Sequence, residues 1–371
     1  MESAPVKLLF LSHASLSTGF VVGSHQLAKC YAKKYDVYHV SSAVTPYHFL
    51  KGKVGIRKLR NSLFPKFKEE FGFTDFIPLV LFPYGVSGWM DKLNDMFAFL
   101  YFKLFNIPTK CEVTLIDQPS FIGFYQTYIA SKKVFYRPTD IYKNMGGGKY
   151  EKHEEKSVEI CGGIIATSKE VLDALGSKAL LKPNIVVENG VDYEFFSKPR
   201  SSAARKGFVY VGAIDFRFDL DFLIKLASLL PNENFDIFGS VSIEINSKKL
   251  PNNLSFKGSV DYSIVPDLLH TYRYGLIPLN DHPANVGRSP MKLFEYQAAG
   301  LITLVRESAK YKALETDVVL TYDNVETAIE KISDTILLEQ GEYESRLQEC
   351  AKLESWEIKS QVIENFVGFE N

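Results

Sequence analysis

Residues Arg288 to Gly300, RSPMKLFEYQAAG, lead into the apolar run LITLV at Leu301 to Val305, and this stretch decides how the chain is read. Ser289 is a capping type, Pro290 suits a first helical turn because its missing N–H would be unbonded there, and Gly300 stops the run. A loop that opens a helix beside a strand end presents free N–H groups and a positive dipole end, which suits a phosphate. Lys292 adds a point charge at the same place. Glu295 follows one turn later, where a carboxylate can accept hydrogen bonds from the two hydroxyls of a ribose. Any helix–strand unit of a parallel sheet has the same form, so the remainder of the chain has to decide.

Working back from this stretch, FVYVGA at Phe208 to Ala213 reads as a strand, Leu220 to Leu230 as a helix, and Phe235 to Phe238 and Leu254 to Lys257 as strands. Ser263 to Tyr272 reads as a helix and Tyr274 to Pro278 as a strand. Beyond it, Val325 to Glu339, Glu342 to Leu353 and Trp356 to Phe366 read as helices, the last crossing back onto the first half. Asp219-Leu220-Asp221 spells a DxD metal triplet, but its place before a helical run points to capping. Ser201 to Gly207 (SSAARKG) is small, polar and basic, the pattern of a linker. Two α/β domains are expected: 1–200 with 354–371 returning to it, and 201–353.

The first half repeats the alternation. KLLFLS at Lys7 to Ser12 is a strand, His13 to Gly23 a loop, Ser24 to Lys34 a helix and Asp36 to Ser41 a strand. This is a Rossmann-like opening, yet Gly19 and Gly23 do not have the spacing of a dinucleotide fingerprint, which argues against NAD. Glu112 to Ile116, Lys133 to Tyr136, Gly163 to Ser168 and Ile185 to Val187 supply further strands, with helices at Ser120 to Ser131, Glu151 to Ile160 and Lys169 to Leu175. Asp140, in YRPTD after one strand, lies where open parallel sheets bind ligands. Taken alone, an Asp there is a cap or turn residue. His13 likewise reads as a catalytic aid, a phosphate contact or a satisfied loop residue. Gly146-Gly147-Gly148 lacks the Lys-Ser/Thr ending of a P-loop and reads as a loop.

From Lys51 to Lys68 the chain carries Lys53, Arg57, Lys58 and Arg60 among its seven cations and no acid, interleaved with apolar residues; Trp89 to Phe105 is rich in aromatics. These segments read as a surface for anionic lipid or pyrophosphate, or else as a solvated loop over ordinary core. The net charge is −1, which gives no ground for nucleic-acid binding. Cys30, Cys111, Cys161 and Cys350 form no CxxC pair, so free thiols in a reducing compartment are expected and no zinc site is implied. No apolar run has the length of a spanning helix and the N-terminus lacks a signal-peptide build, so a cytoplasmic protein, at most peripheral on the membrane, is expected.

Together the pieces YRPTD, ENGVDYEFF, VYVGAIDFRFD and SPMKLFEYQAAGL resemble the GT-B glycosyltransferases, and within them the bacterial glucuronosyltransferase of xanthan assembly and its relatives. That resemblance implies two Rossmann-like domains facing a cleft. It also implies a metal-independent, inverting transfer from a nucleotide-diphosphate sugar, a UDP-sugar first of all, to a lipid-linked glycan at the inner face of the membrane. No cofactor is implied beyond that co-substrate. Asp140 falls on the family's general base, with His13 as a second catalytic candidate. Lys292 falls on the diphosphate contact and Glu295 on the ribose contact, while Ser289, Met291, Gly212, Arg217 and Asn189 count as further donor-binding positions. Lys53, Arg57, Lys58 and Arg60 count as the membrane or acceptor contacts. Many retaining GT-B enzymes have a Glu eight residues before the ribose contact; here that position is Gly287. A retaining transferase, a UDP-sugar 2-epimerase and a non-catalytic assembly partner stay open as alternatives.

Overall fold

A computed structural model describes residues 5–145, 148, 150–198, 205–246, 250–289 and 291–369. Its contacts divide the chain into two compact units. The first holds the chain up to Asn189, Val286–Ser289 and everything from Trp356 onward; the second holds Gly190–Asn285 and 291–355. Each is a parallel sheet with helices.

In the first unit the strands are β1 (Lys7–Leu11), β2 (Asp36–Val40), β3 (Phe67–Lys68), β4 (Phe73–Phe76), β5 (Lys110–Ile116), β6 (Ala130–Tyr136), β7 (Gly163–Ala166) and β8 (Asn184–Val186). They lie in the order β3-β4-β2-β1-β5-β6-β7-β8, all pairs parallel except β3 with β4. β1 sits at the middle because KLLFL is apolar on both faces, as a strand covered from both sides must be. The strand order reverses beside it, with β2 on one side and β5 on the other. That reversal is where open α/β sheets form a ligand crevice.

The second unit has β9 (Phe208–Val211), β10 (Phe235–Phe238), β11 (Leu254–Gly258), β12 (Tyr274–Ile277), β13 (Ile302–Arg306) and β14 (Val319–Tyr322) in the order β11-β10-β9-β12-β13-β14. All its pairs are parallel. Phe208 stacks between Phe235 and Tyr274, with centroids 4.4 and 4.5 Å away, and so fixes three neighbouring strands.

Several readings of the sequence are corrected. β3 and β4 were not expected, because Thr74 and Asp75 interrupt the apolar run; Asp75 is satisfied inside the fold instead of at its surface. The basic segment forms a helix, Gly52–Leu63, in place of a loop. The helix expected at Ser120 to Ser131 is a short 3-10 turn and Ile122–Tyr128, since β6 already begins at Ala130. Residues 201–204 of the expected linker and Gly146 and Gly147 lie outside the described residues. Arg205, at the edge of that linker, is buried: it donates to the Ala299 carbonyl and to His270 Nδ1 (2.6 and 2.9 Å) and pairs with Glu344. Asp219 caps the helix Leu220–Leu229 by accepting from the Phe222 N–H at 2.9 Å.

The helix Trp356–Val367 belongs to the first unit and packs on the helix Gly23–Tyr31. Tyr31 donates to the Ser360 carbonyl at 3.0 Å, and Trp356 is buried. A Cβ on Gly23 would fall 2.7 Å from Asn189 Oδ1, 2.9 Å from Arg137 Nη2 and 3.0 Å from Trp356, so only glycine fits there.

Candidate active site

At the carboxyl end of the first sheet, three adjacent strands each deliver an ionisable residue. His13 follows β1, Asp117 follows β5, and Arg137 and Asp140 follow β6. Arg137 Nη1 donates to Asp117 Oδ2 at 2.9 Å, and both side chains are almost wholly buried. Tyr142 donates to the Asp117 carbonyl at 2.9 Å, and Thr139 Oγ1 donates to Asp140 at 3.1 Å. Asp140 itself is partly exposed.

Three buried polar atoms in this cluster lack a partner among the described residues: His13 Nδ1, Asp117 Oδ1 and Arg137 Nε. Buried polar atoms are nearly always bonded, so three together mark a place built for something other than packing. Burial pulls the His13 imidazole below its ordinary value, against the opposing pull of Asp117 and Asp140. Burial likewise pushes the Asp117 carboxyl up, against Arg137 and His13. A neutral imidazole and a partly solvated carboxylate on one edge have the makings of proton transfer.

The second unit presents a different edge. Helix Met291–Ala298 brings Lys292 over the Tyr210 ring, 5.7 Å from Nζ to centroid. A Cβ on Gly212, just past β9, would fall 2.3 Å from Lys292 Cε and 2.7 Å from its Nζ. The glycine is therefore what admits the lysine. Tyr296 accepts from the Val211 N–H at 3.1 Å and ties the helix to β9. Burial raises the Glu295 carboxyl to about 7, with Lys292 opposing and Asp192 adding to the shift. Arg217 lies in the loop after β9, paired with Asp215 at 2.5 Å and set over Phe216.

The expected donor residues thus fall into two sets. Gly212, Arg217, Met291, Lys292 and Glu295 belong to the second unit, whereas Asn189 and Ser289 belong to the first. Asn189 donates its backbone N–H to Ser289 Oγ (3.0 Å) and its amide to the Ser289 carbonyl (2.7 Å), and its Oδ1 accepts from Arg137. Lys53, Arg57 and Arg60 are exposed on helix Gly52–Leu63, and Lys58 is partly so. Asp117 and Arg137 were not singled out from the sequence.

The fold also gathers His25, His39 and Asp75, whose ligand-type atoms lie within 4.8 Å of one another. Their bonding is internal. Asp75 accepts from His39 Nδ1, Ser41, Ser15 and the Leu16 N–H, between 2.5 and 2.9 Å. His25 Nδ1 accepts from the Val22 N–H, and Nε2 meets the Ala14 carbonyl. Burial, then His39, lowers the His25 imidazole to about 3. Burial would raise Asp75, but its bond and attraction to His39 hold it below its ordinary value. The cluster reads as a polar brace of β2 and β4.

No family profile matches the chain. TuaH of Bacillus subtilis (strain 168), a glycosyltransferase provisionally assigned to teichuronic acid biosynthesis, is 25% identical over 202 residues, covering 50% of this chain and 50% of TuaH. The matched stretch spans about half the length of that relative. Among solved structures, HepE of Anabaena in complex with UDP and glucose superposes with a TM-score of 0.69 at 14% identity, covering 98% of this chain and 100% of that one. Sucrose-phosphate synthase of Thermosynechococcus elongatus superposes with a TM-score of 0.70 at 10% identity, covering 97% and 98%. The fold is therefore that of the GT-B glycosyltransferases, two Rossmann-like α/β domains in one chain.

Proposed function

We propose that this protein is a glycosyltransferase that moves a sugar from a UDP-sugar to a glycan acceptor. The observation that carries the reading is the convergence of His13, Asp117, Arg137 and Asp140 on the carboxyl ends of neighbouring strands in a GT-B fold. UDP and glucose in HepE support the donor class.

In this reading Asp140 accepts the proton of the acceptor hydroxyl as its oxygen attacks the anomeric carbon, and the bond to UDP breaks with inversion. Lys292 and the N-terminus of helix Met291–Ala298 hold the charge that grows on the leaving diphosphate, in place of a metal ion. Glu295 holds the ribose. Incubating the protein with a panel of UDP-sugars, with and without saccharide acceptors, tests the reading: UDP release should depend on acceptor. Turnover without acceptor would point to an epimerase, and no thermal shift with UDP to a non-catalytic protein.

The acceptor in this reading is carried on a lipid at an anionic, cytoplasm-facing membrane surface. Val54 and Ile56 stand exposed beside Lys53, Arg57 and Arg60 on helix Gly52–Leu63, and Trp89, Leu100 and Leu104 stand exposed on helix Gly88–Leu104. Tyr101 ties the two helices by donating to the Ser62 carbonyl at 2.8 Å. Among the described residues no helix is long and apolar enough to cross a membrane. Sedimentation with phosphatidylglycerol vesicles should fall as salt rises. Binding that ignores salt would sink this part.

A further inference from the structure

The first unit contains a cavity of about 430 Å³ that none of the expected site residues lines. It lies at the carboxyl edge of the sheet, between the segments that follow β2, β4, β5 and β6. Tyr47, Phe82, Tyr84, Phe121 and Tyr150 give it aromatic walls. Tyr84 is fixed by donating its hydroxyl to Asp95 at 3.0 Å, so that wall is held from behind. Gln118, next in the chain to Asp117, lines it as well, and the Tyr150 ring packs on Tyr142, whose hydroxyl bonds Asp117. The cavity is therefore linked to Asp117 through Gln118 and through Tyr150 and Tyr142.

Its charge is one-sided. Lys51, His48 and His153 line it, and among the described lining residues there is no carboxylate. His48 Nδ1 lies 3.1 Å from the Thr45 backbone nitrogen and 3.2 Å from the Thr45 carbonyl oxygen, so Thr45 holds the ring in place. Burial, then Lys51, lowers the His48 imidazole, so Lys51 supplies the positive charge of this wall and His48 a neutral ring. Aromatic rings offer apolar platforms to the faces of sugar rings, and a lysine on a wall with no lining carboxylate among the described residues favours an anion.

We propose that this cavity binds the acceptor end of the glycan and selects a saccharide that carries an anionic group, a uronate carboxylate or a sugar phosphate. The inference rests on the transferase reading for the word acceptor; the anion preference stands on the cavity alone. Lys51 and His48 face the anion, and the rings of Tyr84 and Tyr150 face the sugar.

The experiment measures dissociation constants of methyl β-glucuronide, glucose 1-phosphate and neutral methyl β-glucoside for the full chain by ligand-observed NMR, with UDP titrated separately in the same samples. At least one anionic sugar should bind about tenfold more tightly than the glucoside, the scale of a hydrogen bond to a charged group. Which one it is identifies the anion. Lys51→Gln should erase that preference, and Tyr84→Leu should weaken all three sugars, with UDP affinity unchanged in both variants. Equal binding of charged and neutral sugars, binding of none, or a preference that survives Lys51→Gln overturns the inference. UDP binding, read independently, decides the transferase reading.

Discussion

The two sheet edges solve different problems. In the first unit the edge is crowded with ionisable side chains, and three of their buried polar atoms lack a partner among the described residues. In the second unit the edge holds a glycine, a helix start, Lys292 and Glu295, with the lysine lodged against Tyr210 and Arg217 paired to Asp215. Unmet hydrogen-bonding capacity in a buried place costs stability, so a fold retains it where it meets substrate. A glycine floor under a lysine asks only that a charged ligand come close. In the proposed reading, proton chemistry belongs to the first unit and ligand holding to the second.

The comparison can be broken most easily at Asp140. Asp140→Asn should reduce transfer by about 10²–10⁴-fold, the usual share of a general base, and leave UDP affinity as it was. A variant with normal turnover would move the base elsewhere, with His13 next in line. Asp117→Ala strands Arg137 in the interior and should cost about 3–5 kcal/mol in chemical denaturation. A loss below about 1 kcal/mol would mean that Arg137 finds another partner.

On the other edge, Gly212→Val pushes into Lys292 and should weaken UDP by about tenfold or more, the scale of an overpacked site. The rate at saturating donor should fall as well, because Lys292 is proposed to hold the charge that grows on the leaving diphosphate. The smallest effect concerns Glu295, whose carboxyl titrates at about 7. If its ionised form accepts the ribose hydroxyls, UDP affinity should rise from pH 6 to pH 8 as the proton leaves. Glu295→Gln should lose that rise, and comparing the two proteins removes the titration of UDP itself. Calorimetry at the two pH values checks it.

Acid stability offers a separate test of the first unit. His25 is lowered to about 3 in the fold, and an unfolded histidine titrates near 6.5. The unfolded chain therefore binds the extra proton between those values. Stability should be complete above about pH 6.5 and fall by up to about 1.4 kcal/mol per unit as the pH drops towards 3. His25→Gln should flatten that slope in urea titrations at stepped pH.

How much of this the sequence discloses depends on the span of each interaction. β1, β9 and β13 are legible because KLLFL, FVYV and ITLVR are apolar on both faces. Lys292 and Glu295 are legible because one helix carries both. Asp117 is not: it lies in no motif, and it meets Arg137 only because β5 and β6 run side by side. His25, His39 and Asp75 come from a helix and two strands, and Asn189 finds Ser289 a hundred residues away. No local pattern encodes such meetings. The cavity lined by Lys51 and Tyr84 is likewise an outcome of four segments brought to one edge.

The return of Trp356–Val367 to the first unit has a consequence for synthesis. Trp356 closes over Gly23, so the first unit lacks a wall until helix Trp356–Val367 leaves the ribosome. At roughly 5–20 residues per second, that wait is about 10–40 s. During it, the whole second unit can fold. The unit that carries the proposed chemistry is begun before the second unit and finished after it.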